Sequence, residues 1–171
     1  MLTGAAMRRH SRELSWFSRA AMRTSLAESV AEQLAQFKQE GQTPDDIREA
    51  AARLYEGGLR SKLSDLALLY EAYEASLAGR YLDGEDELRA AAGRVAQARG
   101  LAHCRIWIYG YDLIATPFAE LIAALSQSAA ETTLLLASGA READAPLYAC
   151  VEASLARLSR LLADKGVPCE A

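Results

Sequence analysis

Cys104-Arg-Ile-Trp-Ile-Tyr109, followed by Gly110-Tyr-Asp-Leu-Ile-Ala115 and Thr116-Pro117, is the stretch on which the fold turns. Its first six residues are rich in β-formers, with Cys104, Ile106 and Ile108 alternating toward one face, which predicts a short strand. Gly110–Ala115 reads as a loop. Thr116-Pro117 reads as the cap of a helix carrying Phe118, Leu121, Ile122 and Leu125 at helical spacing. Thr132–Ala137 is a second strand, apolar enough to be covered on both faces. Ser138–Asp144 is a polar loop, and Pro146–Lys165 is an amphipathic helix using Leu147, Val151, Leu155, Leu158 and Leu162. Strand, helix, strand, helix with short links predicts a right-handed parallel unit. Two strands leave both sheet edges open, so further strands come from outside this chain or from a second copy of it.

Everything before Gly100 is helical in pattern. Residues 3–20 predict one helix with His10, Leu14, Phe17 and Ala21 on a face. Ser25 and Glu28 have capping-box spacing at the start of a second helix, whose buried face is Leu26, Val30, Leu34 and Phe37 before Gly41 ends it. Thr43-Pro44-Asp45-Asp46 opens a third: Thr43 as N-cap, Pro44 in the first turn, and two acids at the positive helix end. Gly57-Gly58 closes it. A fourth, about 59–78, carries Leu63, Leu66, Tyr70, Tyr73 and Leu77 along one seam, where the tyrosines read as core and helix contacts rather than a base-stacking platform. Gly79 stops this helix, and Asp83 starts a fifth running to Arg99. The expected fold class is therefore mostly helical α/β: about five helices over residues 1–100, then a β-α-β-α unit of an incomplete parallel sheet over 101–171.

Composition agrees with a packed domain. Of 171 residues, 51% are hydrophobic and 25% charged, which excludes disorder and collagen-like repeats. No apolar run approaches the ~20 residues that cross a bilayer, so no membrane role is expected. Residues 1–9 put no apolar core behind their arginines and are not a secretory signal. Three widely spaced cysteines, Cys104, Cys150 and Cys169, fit reduced thiols in the cytoplasm and supply no metal framework. The formal net charge of −4 hides an asymmetry: residues 1–24 hold Arg8, Arg9, Arg12, Arg19 and Arg23 against Glu13 alone. Such a run is either a solvated helix face or a set of phosphate contacts.

The usual catalytic patterns fail. No Gly-Lys dipeptide exists, which removes the phosphate-cradling loop. None of the three lysines has an acid two positions before it, which removes the Asp plus acid-x-Lys nuclease core. Pro44-Asp45 is then a helix start. Two histidines, His10 and His103, and no Gly-x-Ser-x-Gly elbow leave neither a zinc site nor a serine triad. His103 and Cys104 are adjacent on a strand and point to opposite faces, so they make a poor nucleophile pair. An apolar strand ending in an acid and feeding a capped helix is the build of a Walker B site, where the acid holds magnesium. Here the strand end is Tyr109, which cannot, followed by Gly110; Asp112 lies three residues on. Asp112 is either a displaced metal or water ligand or, preferably, a turn residue bonding its own backbone.

Several of these stretches together resemble the AddB subunit of bacterial ATP-dependent helicase–nucleases. They are Ser61–Leu77, Gly79-Arg-Tyr-Leu-Asp83, Ile106-Trp-Ile-Tyr-Gly-Tyr111, Thr116-Pro117, and upstream Glu32–Lys38 with Thr43–Ile47. The resemblance covers roughly residues 5–168. It implies an internal segment of the N-terminal helicase-like half of a much longer protein. Residues 1–100 would be a helical insertion, and 101–171 part of a RecA-like, superfamily-1 helicase-like sheet around a degenerate second helicase motif. The family usually has an acid where this chain has Tyr109. The resemblance further implies a non-catalytic scaffold segment in DNA double-strand-break repair by homologous recombination, with DNA and the motor–nuclease partner of the same complex as its partners. ATP, magnesium and an iron–sulfur cluster belong to the intact protein, with no cofactor in this piece. Two other readings compete: a free-standing helical protein–protein interaction module without a DNA role, and a small α/β enzyme using Asp112 and Cys104.

Overall fold

The computed structural model of the chain describes residues 2–20, 22–137, 139 and 145–170. Ala21 and most of the expected loop Ser138–Asp144 lie outside the described residues. Two compact units divide the chain, Met1–Asp83 and Gly84–Ala171.

The first unit is helical. Helix α1 spans Leu2–Arg9, a 3-10 turn Ser18–Ala20, α2 Thr24–Gln39, α3 Pro44–Ala52 and α4 Gly58–Leu77. The single helix expected over 3–20 stops at Arg9. Downstream, the backbone N–H groups of Ser15, Trp16 and Phe17 turn away from helix carbonyls and bond the Asp65 side chain, at 3.0, 2.9 and 2.9 Å. Leu14 and Phe17 still reach the core, with Ala6 and Met7 of α1, Ala27, Val30 and Leu34 of α2, and Leu66, Leu69 and Tyr70 of α4. The tyrosine seam is a helix contact, as the spacing suggests. Tyr70 stacks on Phe37 and its hydroxyl donates to the Gln42 carbonyl at 3.0 Å.

Helix ends follow local chemistry with two corrections. Helix α2 begins at Thr24, so Ser25 lies inside it, and Arg23 at the N-cap makes no side-chain bond; the expected Ser25–Glu28 box is absent. Gly41, at φ 74°, closes α2 with its own N–H on Lys38 O and that of Gln42 on Phe37 O. Thr43 forms a full capping box with Asp46: Oγ1 accepts from Asp46 N–H at 3.2 Å, and the Asp46 carboxylate accepts from Thr43 N–H at 2.8 Å. Helix α3 ends at Ala52, short of Gly57-Gly58. Hydrogen bonds from the Thr43 hydroxyl, then its backbone N–H, hold the Asp46 carboxyl below its ordinary 3.8. That contribution is present above the ordinary value and lost as pH falls through the lowered one. Thr43→Ala is expected to cost about 1 kcal/mol in chemical denaturation and to reduce this acid-side loss without abolishing it, since the backbone N–H at position 43 still donates to Asp46.

The second unit holds α5 (Gly84–Val95), β1 (Arg105–Tyr109), α6 (Thr116–Ser128), β2 (Glu131–Leu135) and α7 (Ala145–Asp164). Strands β1 and β2 pair in parallel, Trp107 opposite Thr133 and Tyr109 opposite Leu135. The mostly helical α/β class with a two-stranded parallel sheet is what the sequence pattern predicts. Helix α5 packs along α6 in this unit. Ile106, Ile108 and Leu134 turn inward onto Ile122, Ala123, Leu158 and Leu162 of α6 and α7. Cys104 does not join them. It precedes the strand, is exposed, and its carbonyl accepts the Ala130 N–H. Nor is β2 covered on both faces: Leu135 is exposed beside Trp107 and Tyr109, because no described element of this unit lies over that side. Thr116 is the first residue of α6 rather than its capping side chain.

Candidate functional site

The end of β1 is the position that could carry nucleotide chemistry. Tyr109 is 75% exposed there. Gly110 follows at φ 85°, the left-handed region that lets the chain turn off the sheet. Tyr111 packs its ring on Phe118 of α6, with centroids 4.6 Å apart. Asp112 is exposed in a bend and makes no hydrogen bond among the described residues, so the expected bond to its own backbone is not formed. The loop is held instead at Ile114, whose buried N–H donates to Ser154 Oγ of α7 at 3.1 Å. A cavity of about 570 Å³ in this unit is lined by Arg89, Glu120, Gln127 and Lys165 among others, and by neither Tyr109 nor Asp112. The strand end therefore offers no acid where a magnesium ion would sit. Cys104, Cys150 and Cys169 are free and exposed, one short of the four thiolates a cluster takes.

The arginine run has a different character. Arg8 and Arg9 occupy the last turn of α1, Arg12 the turn after it, Arg19 the 3-10 turn, and Arg23 the N-cap of α2. All five are exposed, and among the described residues none is in an ion pair. The single acid of this stretch, Glu13, is already taken by His10 at 3.0 Å.

Two buried charges organise the first unit, and neither is named by any sequence motif. Asp65, 3% exposed, gathers the three N–H groups described above and the Ser15 hydroxyl. Lys38, 2% exposed, reaches from α2 to Asp83 at 2.6 Å and Glu74 of α4 at 2.9 Å, with its ammonium 5.8 Å from the Tyr73 ring centre. Tyr73 donates its hydroxyl to Asp83 at 3.3 Å. Burial, and then the Asp83 charge, push the Tyr73 hydroxyl above its ordinary 10.0, while Lys38 pulls the other way.

A family model described as ADDB, N-terminal matches residues 1–171. The chain belongs to the AddB N-terminal family. Among curated relatives, the B subunit of the ATP-dependent helicase/deoxyribonuclease of Desulforudis audaxviator is 31% identical over 99% of this chain and 15% of its own length. The proteins of the same name from Desulfitobacterium hafniense and Moorella thermoacetica are 35% and 33% identical, each over 80% of this chain and 11% and 12% of their own lengths. The AddB chain described here thus spans about 15% of the first of these relatives or less. Across it, no described helix is long and apolar enough to cross a membrane. Within this AddB segment the arginines belong to the first unit and the strand end to the second.

Proposed function

We propose that this AddB segment is a non-catalytic, DNA-contacting scaffold within a cytoplasmic helicase–deoxyribonuclease, serving double-strand-break repair by recombination beside a motor–nuclease partner. The observation that carries the reading is the run of five exposed arginines from α1 to α2, none of them in an ion pair among the described residues. Guanidinium groups without acidic partners favour a polyanion, and contacts of this kind set position on a backbone without reading bases. The names of the relatives supply the chemistry of that polyanion, deoxyribonucleic acid.

Residues 1–100 then act as the helical insertion, and residues 101–171, with β1–α6–β2–α7, as part of a helicase-like sheet whose remaining strands lie elsewhere in the intact protein. The strand end does not fit magnesium or ATP, because Tyr109 stands in the acid's place and Asp112 is out in solvent. Nucleotide, magnesium and iron–sulfur chemistry are accordingly assigned to other parts of the complex.

Replacing Arg8, Arg9 and Arg12 by Ala in the intact protein is expected to weaken DNA binding. It should also flatten the log–log salt slope by about two to three. A slope identical to wild type removes the arginine assignment. The uncovered face of Trp107, Tyr109 and Leu135 favours a second reading, a protein-interaction module without DNA. Under that reading the same variants leave DNA binding untouched.

A further inference from the structure

Two tryptophans of this chain stand in solvent, Trp16 at 54% and Trp107 at 59% exposure. Their surroundings differ in charge. The cation that shares Trp107's strand face, Arg105, is paired across the sheet with Glu131 at 3.3 Å. In sequence Trp16 lies between Arg12 and Arg19, and among the described residues neither is in an ion pair. Its indole packs over Gly58, two residues before Arg60, which is likewise in no ion pair. Arg60 lines a depression of about 410 Å³ with Ser15, Glu56, Gly57, Ser61 and Ser64, so a single acid stands on that rim.

The fold holds this indole on a fixed mount. The Trp16 N–H donates to Asp65, and the N–H groups on either side do the same, so its backbone is anchored to a buried carboxylate. A Cβ at position 58 would lie 2.5 Å from Trp16 Cζ3. A side chain at position 58 would therefore force this ring to move. Burying a tryptophan is among the larger gains open to a core, yet half of this one is left to water. A side chain fixed in place before its ligand arrives loses little freedom on binding.

We propose that Trp16 is a stacking shelf for one base of a single-stranded nucleic acid, whose phosphates run along Arg12, Arg19 and Arg60. A flat ring accepts any base, and neighbouring guanidinium groups neutralise the backbone on either side of it. Duplex DNA keeps its base faces inside the stack and cannot use the shelf. An acidic peptide would satisfy the arginines but brings no ring to the indole. This inference rests on the DNA-contact reading above and adds to it a strand type and a residue.

The test uses the intact protein carrying this segment and a labelled oligothymidylate in which one thymine is replaced by 5-iodouracil. Irradiation should cross-link the tryptic peptide Glu13–Arg19 through Trp16. Trp16→Ala should remove that cross-link and weaken single-strand binding about tenfold, with duplex binding within twofold and the salt slope kept. Trp16→Phe should retain most of the affinity, which separates stacking from a folding defect, and Trp107→Phe should change nothing. Arg8, Arg9 and Arg12 replaced by Ala should flatten the slope while leaving the cross-link at Trp16, carried there on a longer tryptic peptide ending at Arg19 because trypsin no longer cuts before Glu13. If Trp16→Ala binds single strands like wild type and no cross-link maps to residues 13–19, the shelf is overturned, while the arginine contacts stand or fall by their own slope. If Trp16→Ala instead releases a protein partner with DNA binding intact, the surface is a protein interface and the shelf is again wrong.

Discussion

Asp65→Ala is expected to lower the unfolding free energy of the helical unit by about 3–5 kcal/mol. The size follows from what the carboxylate does. One oxygen accepts the Ser15 N–H and hydroxyl, and the other accepts the N–H groups of Trp16 and Phe17. Alanine leaves three backbone donors without partners, the Phe17 group in buried surroundings. Each stranded donor costs about 1–3 kcal/mol. Water can restore part of this at Ser15, which is exposed, and little of it at Phe17. Asp65→Asn keeps one acceptor oxygen but turns an NH₂ toward the remaining donors, so about half the loss is expected. Chemical denaturation reads the free energy, and amide exchange at residues 15–17 shows whether the loss starts there. An Asp65→Ala variant within about 1 kcal/mol of wild type would show that this turn contributes nothing to holding α1 and Phe17 against α4.

That turn marks the boundary of what sequence reading can reach. The Thr43–Asp46 box was legible because every partner lies within four residues, and side chain and backbone meet whatever the rest of the chain does. The parallel pairing of β1 and β2 was legible for a similar reason: a strand, a helix and a strand with short links have few arrangements. The break after Arg9 was not, since the residue that causes it is 48 to 50 positions away. Periodicity through Leu14 and Phe17 looked helical because both are buried, and a turn can bury the same two side chains. Lys38 carried a signal that polarity concealed. Leu26, Val30 and Leu34 advance by four, and Lys38 is the next step on that stripe, so its position already pointed inward. A charge on a buried stripe announces a buried partner without saying which. As for the candidate site, the arginine run was visible in composition, but only packing shows that its one acid is spoken for by His10. Trp16 had no sequence signal at all. Its presentation depends on Gly58 and Asp65, both distant in the chain.

Lys38→Ala is expected to cost about 3–4 kcal/mol, because it removes the buried cation facing two carboxylates, of which Asp83 is largely shielded from water. Glu74 and Asp83 are 37% and 17% exposed at the side chain, so Glu74 can rehydrate and Asp83 hardly can. Lys38→Met keeps the apolar stem that packs within the unit and removes only the charge. Its loss should be smaller, and the difference between the two variants measures stem packing against charge. Changing Asp83 to Leu in the Met background removes the stranded acid as well, and should recover part of the single-variant loss. A double-mutant cycle on Lys38 and Asp83 is then expected to give a coupling of at least about 1 kcal/mol. Alkaline pH offers an independent check through Tyr73. Its hydroxyl is held above the ordinary 10.0, so its contribution is complete below that value and is lost as pH rises through the raised one. In Lys38→Met the neighbouring cation that favoured phenolate is gone, and Asp83 remains. The phenol should therefore ionise at higher pH than in wild type, read by ultraviolet difference absorbance. A shift to lower pH, or a coupling of zero, would mean that the ammonium does not hold Tyr73 and Asp83 together, and that Asp83 is positioned by the backbone alone.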